Sequence, residues 1–174
     1  MNTILERRHF TINPATDYFT ADGLQKQTGQ PVNQFRHVAI KELIDNALDA
    51  AETAGVAPVV SVEFTESENG LTLTVADNGT GIPADVVARI VSRFSSSTSD
   101  KASYRAPTRG AQGNAIKTLI GMPVALGAAR SRLAIAAAGI QHTLEVWISP
   151  AGDVRHEHHQ SPSEATGTRI TLLI

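Results

Sequence analysis

Three polar residues, Glu42, Asn46 and Asp49, stand at i, i+4 and i+7 in the run Glu-Leu-Ile-Asp-Asn-Ala-Leu-Asp-Ala (42–50). At about 100° per residue they fall within an arc of roughly 60° on one side of a helix. Most of the apolar residues around them (Val38, Ile40, Leu43, Ile44, Ala47, Leu48, Ala51) fall elsewhere on the wheel. A solvated helix edge would show the same pattern. A chemical reading is available as well. A carboxylate one turn from a carboxamide can take a proton from water and anchor a hard cation. The cation that suits this set is Mg²⁺ beside a phosphate, because magnesium keeps several waters and few protein ligands. Asn46 is then the metal anchor and Glu42 the base.

Three further segments carry candidate chemistry. Asp77-Asn-Gly-Thr-Gly-Ile-Pro83 follows a strand. Its plain reading is an Asn-Gly turn. The preceding aspartate and the second glycine add another: glycines let a flat ring approach the backbone without meeting a Cβ, and a carboxylate at a strand end can accept from the exocyclic amine of adenine. Arg109-Gly-Ala-Gln-Gly-Asn-Ala115 opens a helix, where free N–H groups favour an anion; an ordinary glycine-containing loop reads the same way. Gly167-Thr168 enters the last strand and says nothing alone. His156, His158 and His159 form a rival cluster, since alternate residues of a strand share a face. A polar edge strand is the preferred reading there.

The elements that must position these residues follow from the pattern. Residues 1–30 read as a short strand near His9–Ile12 followed by a short helix or arm, with turn formers at Asn13-Pro14, Asp22-Gly23 and Gly29-Gln-Pro31. Residues 32–54 form the strongest helix, stopped by Gly55. Val60, Val62 and Phe64 alternate with polar residues, as do Leu71, Leu73 and Val75; with Ser-Glu-Asn-Gly between them they predict an antiparallel hairpin with one buried face. Pro83 suits the first turn of a new helix. Residues 94–114 have little periodicity and read as a long polar loop. A helix follows from about Asn114 to Ile120, closed by Gly121 and Pro123, and then strands near 132–138, 141–149, 153–159 and 167–174. Helices mixed with antiparallel strands, without strict β-α-β succession, indicate an α+β two-layer sandwich.

Bulk properties narrow the function. The 174 residues, 41% hydrophobic, suit one compact domain. A net charge of −2 lacks the footprint of a dedicated nucleic-acid binder. With no cysteine, disulfides, zinc-thiolate sites and thiol nucleophiles are excluded. No apolar run approaches a membrane span and the start carries charge where a secretion signal is apolar, so a cytoplasmic protein without membrane contact is expected.

Taken in order, Glu-x-x-x-Asn-x-x-Asp-Ala, Asp-x-Gly-x-Gly, a polar lid with a glycine-rich helix start, and Gly-Thr on a strand resemble the GHKL ATPase superfamily of gyrase, MutL, heat-shock chaperones and histidine kinases. The match spans about residues 35–172. The Asp49-Ala50 ending looks like the gyrase, MutL and chaperone branch, and the segments 35–50 and 108–113 look most similar to the topoisomerase VI B family. The resemblance implies a Bergerat fold, with helices on one face of a mixed, mainly antiparallel sheet, and a domain at 31–174 preceded by an arm at 1–30. It implies ATP and Mg²⁺ as cofactors. Glu42 would be the general base and Asn46 the magnesium ligand, with Asp49 in support. Asp77 would receive the adenine amine, Gly79, Gly81 and Ile82 would line the base pocket, and Thr168 would support it. Gly110, Gln112, Gly113 and Asn114 would wrap the phosphates.

It also implies ATP hydrolysis to ADP coupled to lid closure or homodimerisation, a transducer domain, and a DNA-acting partner subunit. Ala115 departs from the pattern, which usually has another glycine there. The ending at Ile174 reads as that of a domain taken from something larger, lacking the second domain whose lysine reaches the terminal phosphate; slow turnover is expected. Lys101, Arg109 and Lys117 are local candidates for that charge, although solvated positions suit them better. Two alternatives stay open: a nucleotide-gated interaction module with little hydrolysis, and a kinase of the same superfamily.

Overall fold

The computed structural model describes residues 14–68, 70–95 and 114–174. A short 3-10 helix (Pro14–Phe19) leads into α1 (Ala21–Thr28), and a 3-10 turn (Val32–Gln34) into α2 (Phe35–Ala54). The hairpin β1 (Val60–Ser67) and β2 (Gly70–Asp77) comes next. Then follow α3 (Ala84–Ser95), α4 (Asn114–Ala125), β3 (Ser131–Ala137), β4 (Ile140–Ile148), β5 (Val154–Pro162) and β6 (Thr168–Leu173). The six strands form one sheet in the order β1-β2-β6-β3-β4-β5. Every pairing among the described residues is antiparallel. The helices supply one layer and the sheet the other, giving the α+β sandwich that the strand pattern predicts.

Alternation decides which sheet face is covered. Leu73 and Val75 of β2, Ile170 and Leu172 of β6, Leu133 and Ile135 of β3, and Leu144 and Val146 of β4 are buried together. They meet the helices, while Thr74 and Thr171 on the opposite face join their hydroxyls at 3.1 Å. Helix α2 buries Phe35, Ala39, Leu43, Ala47 and Ala51, a stripe at every fourth residue. Its alanines let it lie close to the sheet, and Gly55 ends it in the left-handed conformation (φ 66°), giving its N–H to Ala51 and Glu52.

Three local expectations change. Helix α4 does not stop at Ile120 but runs through Gly121 and Pro123 to Ala125. Gly121 is there for contact: a Cβ on it would lie 1.8 Å from the carbonyl oxygen of Tyr18. Pro123 sits in the last turn and forfeits its own helical N–H bond, while its carbonyl accepts from the Ala128 N–H at 2.9 Å. Asp22-Gly23 is not a turn; it lies inside α1, whose cap is Thr20, accepting from the Gly23 N–H at 3.1 Å. Residues 14–28 pack on α4 and place Tyr18, Phe19 and Leu24 in the core. Lastly, the hairpin's first strand is not half-buried. Val62 and Phe64 pair with Val75 and Leu73 and so point to the helix side, yet they are 36% and 53% exposed. Helix α2 lies mainly over β2 and leaves this edge open. The strand expected near His9–Ile12 lies outside the described residues.

Candidate functional site

The end of β2 carries a carboxylate held firmly by the backbone. Alternation past Leu73 and Val75 turns Asp77 towards the helix layer, and Thr168, 4% exposed, occupies the same face of β6. The Asp77 Oδ1 accepts two backbone hydrogen bonds, from Gly79 N–H at 2.8 Å and from Thr168 N–H at 3.1 Å. One carboxylate oxygen is thereby fixed, and among the described residues no other donor takes up the group's remaining acceptor capacity. A half-exposed carboxylate held this way can recognise an amine by direction as well as charge.

The glycines around it are needed, for reasons that differ in part from those the sequence suggests. A Cβ on Gly79 would come within 2.6 Å of the Ala50 Cβ and 2.7 Å of its carbonyl carbon, so the turn lies flat against α2. A Cβ on Gly167 would sit 2.0 Å from the Asp77 carbonyl oxygen, and its φ of 75° already disfavours side chains. The sequence presents Gly167 only as half of the dipeptide with Thr168 and does not show this contact with Asp77. Gly81 (φ 79°) meets the Gly167 carbonyl and the Ala138 amide at 3.2 and 3.4 Å from a notional Cβ. These glycines close the turn onto protein. Ile82 is half-buried and packs on the core.

Asn78 is a residue whose part in this region the sequence does not reveal. It looks like a generic turn former, but its Oδ1 accepts from Val59 N–H at 2.9 Å and its Nδ2 donates to the Ala57 carbonyl at 3.0 Å. The turn is thus tied to the connection that follows α2.

On α2 the structure keeps the expected flank together. Ala50, the residue under Gly79, lies one turn on from Asn46, so the Asp77 turn abuts the side bearing Glu42, Asn46 and Asp49. Glu42 is half-buried, whereas Asn46 and Asp49 are exposed. None of these three side chains makes a hydrogen bond or ion pair with a described residue. Asn114 begins α4 as expected. Gly110, Gln112 and Gly113, together with Lys101 and Arg109, lie outside the described residues. Lys117 lies 5.7 Å from the centre of the Tyr18 ring, a helix-surface position. A groove of about 380 Å³ between the start of α2 and the end of α4, lined by Val32, Arg36 and Leu126 among others, includes none of the candidate residues.

The histidines of β5 have a different use. His158 shares a hydrogen bond with His142 of β4, Nε2 to Nδ1 at 2.9 Å, with the rings stacked at 5.1 Å. His142 is 1% exposed, and its Nε2 has no partner among the described residues. Burial lowers the pKa of both rings from 6.5, and for His158 the neighbouring histidines push the same way. Among the described residues no group of three or more His, Cys, Asp or Glu could hold a metal ion.

This geometry agrees with the comparison with known proteins. The family described as histidine kinase-, DNA gyrase B- and HSP90-like ATPase matches residues 33–174. The chain belongs to this ATPase family. It is also similar to the B subunit of type 2 DNA topoisomerase 6 from Thermococcus kodakarensis, 31% identical over 142 residues, which are 78% of this chain and 24% of that protein. The corresponding protein of Thermococcus onnurineus is 27% identical over 174 residues, 96% of this chain and 30% of that protein. That of Natronomonas pharaonis is 39% identical over 82 residues, 47% of this chain and 10% of that protein. The chain thus spans at most about a third of the length of these relatives. At the level of the family, this is an ATP-binding domain of the GHKL type related to topoisomerase VI B. No described helix is long and apolar enough to cross a membrane.

Proposed function

We propose that this chain binds Mg²⁺–ATP with the adenine amine at Asp77 and hydrolyses the terminal phosphoryl group with Glu42 as base. The observation that carries the reading is the Asp77 carboxylate, one oxygen pinned by the Gly79 and Thr168 amides while the group keeps acceptor capacity for a donor. Gly79, Gly81, Ile82 and Thr168 shape the base end, and Asp49 supports the flank. Gly110, Gln112, Gly113 and the start of α4 at Asn114 wrap the phosphates.

Glu42 takes the proton of the attacking water as its oxygen bonds to the terminal phosphorus. The bond to the bridging oxygen breaks and ADP leaves; catalysis is by positioning and charge neutralisation. Asn46 offers one amide oxygen, with two carboxylates on the same flank. Such a sparse oxygen set suits magnesium, which brings its waters and phosphate ligands along. When bound, the ion supplies neutralising charge to the phosphate oxygens.

Closure of residues 94–113 over the nucleotide, coupled to dimerisation, completes this reading. Residues 1–30 are the segment proposed for exchange between two copies. Coupling to a transducer domain and to a DNA-acting partner is proposed by analogy with the topoisomerase VI B relatives. Isothermal titration calorimetry of the folded chain with ATP and millimolar magnesium tests the core claim. Saturable heat, abolished by Asp77→Ala, is expected; absence of any nucleotide uptake rejects it. One observation favours a second reading, a nucleotide-gated interaction module: Glu42, Asn46 and Asp49 are unbraced by described neighbours. Self-association that is equal with ATP and a non-hydrolysable analogue, alongside negligible phosphate release, would select it.

A further inference from the structure

We propose that Asn78 is a positioning residue that sets the adenine selectivity of the site by clamping the turn that carries Asp77; this rests on the ATP-binding reading above. The last main-chain partners of the hairpin are Val60 and Asp77. Beyond them the carboxamide of Asn78 takes over. It accepts from Val59 N–H at 2.9 Å and donates to the Ala57 carbonyl at 3.0 Å, the two groups that a continuing strand would have offered to a backbone neighbour. The ladder is prolonged by a side chain at the point where the backbone must leave the sheet to form the turn.

The turn is therefore held from two sides. Asn78 ties it to the segment after α2, and Gly79 lies against Ala50 of α2 itself, where a Cβ would find only 2.6 Å. The Gly79 N–H is one of the two donors that orient Asp77 Oδ1. The direction of that N–H depends on the peptide run between residues 77 and 79, and Asn78 is its middle. With the clamp cut, the turn gains freedom, the carboxylate loses its fixed aim, and a nucleotide must order it again on binding. That cost falls on the contact between Asp77 and the exocyclic amine, and far less on the phosphates. Asn78 is exposed, so its side chain is not part of the core that defines the fold.

The test compares ATP with purine riboside 5′-triphosphate, which lacks only the amine, by calorimetry in magnesium. Two variants cut the same clamp from opposite sides: Asn78→Ala, and Val59→Pro, which deletes the donating N–H. The wild-type chain is expected to prefer ATP. From the modest net worth of hydrogen bonds in part-exposed settings, each variant lowers that preference by about threefold to tenfold, with the affinity for the purine riboside nucleotide changing by less than about twofold. Thermal melts establish that each variant is folded. A merely structural clamp would lower the melting temperature or weaken both nucleotides by the same factor, leaving the ratio at its wild-type value; that result overturns the proposal. The outcomes also separate the two layers of inference. A wild-type preference that survives both substitutions removes only the role of Asn78. A wild-type chain that takes up ATP without preferring it removes both that role and the Asp77 contact, and no uptake at all removes the nucleotide reading itself.

Discussion

The two ends of the candidate pocket are built differently. At the base end, Asp77 is held by two amides, its turn is tied to the segment after α2, and Gly79 and Gly167 permit backbone contacts that any side chain would block. At the phosphate end, Glu42, Asn46 and Asp49 project from one helix flank, and no described residue braces them. The contrast separates recognition from chemistry. In the proposed reading, the shape that meets the base exists before anything binds, whereas the groups assigned to the phosphates are aligned, among the described residues, by the helix that bears them.

That contrast can be broken by substitution. The largest effect belongs to the proposed phosphate end: Glu42→Ala removes the proposed proton acceptor and should slow phosphate release by about 10²-fold or more, with ATP affinity nearly unchanged in calorimetry. Hydrolysis at the wild-type rate would show that the base is elsewhere. Next comes the scaffold of the base end. Gly167→Ala forces a methyl towards the Asp77 carbonyl at a position of positive φ, and should cost about 2–4 kcal/mol in urea denaturation. A loss no larger than for Gly29→Ala, where φ is also positive but the space is open, would mean the turn yields easily.

Asp77→Asn sharpens the comparison at lower amplitude. The amide keeps an oxygen for Gly79 and Thr168 but loses charge and replaces the second acceptor with a donor. ATP affinity should fall by about tenfold to a hundredfold with the fold intact; equal affinity would remove adenine from this end.

The smallest effect lies away from both ends, in the His142–His158 pair. Both rings titrate below 6.5 in the folded chain, so well above pH 6.5 they are neutral whether the chain is folded or not. As pH falls below 6.5 the unfolded chain takes up protons first, and stability is lost progressively towards the folded pKa values. The melting temperature should decline from pH 7 to pH 5. Joint replacement of His142 and His158 by Leu should flatten that decline, and an unaltered slope would assign it to other groups.

Much of this architecture is legible in the sequence because it is local. The 3.6 and 2.0 periodicities mark α2 and the later strands to within a few residues, and the spacing of Glu42, Asn46 and Asp49 announces a shared flank. What escapes depends on partners distant in the chain. Nothing near Gly167 reveals the Asp77 backbone ninety residues upstream, and nothing near Asn78 shows that its amide reaches back to Ala57. Gly121 looks like a stop because a glycine used for contact and a glycine used to end a helix are the same letter. The alternation of β1 is genuine, but period alone does not say how far a helix extends over the sheet, so Val62 and Phe64 are less covered than the pattern suggests. The histidines of β5 read as a polar edge strand, and the sequence does not show that one of them, His158, pairs with His142 on the neighbouring strand.

The notch at Gly121 also limits how this protein can drift over evolutionary time. With the Tyr18 carbonyl only 1.8 Å from where a first side-chain carbon would stand, even the smallest replacement forces the 3-10 helix and α4 to shift relative to one another. A bulkier residue at this position is expected only where that contact has been rebuilt.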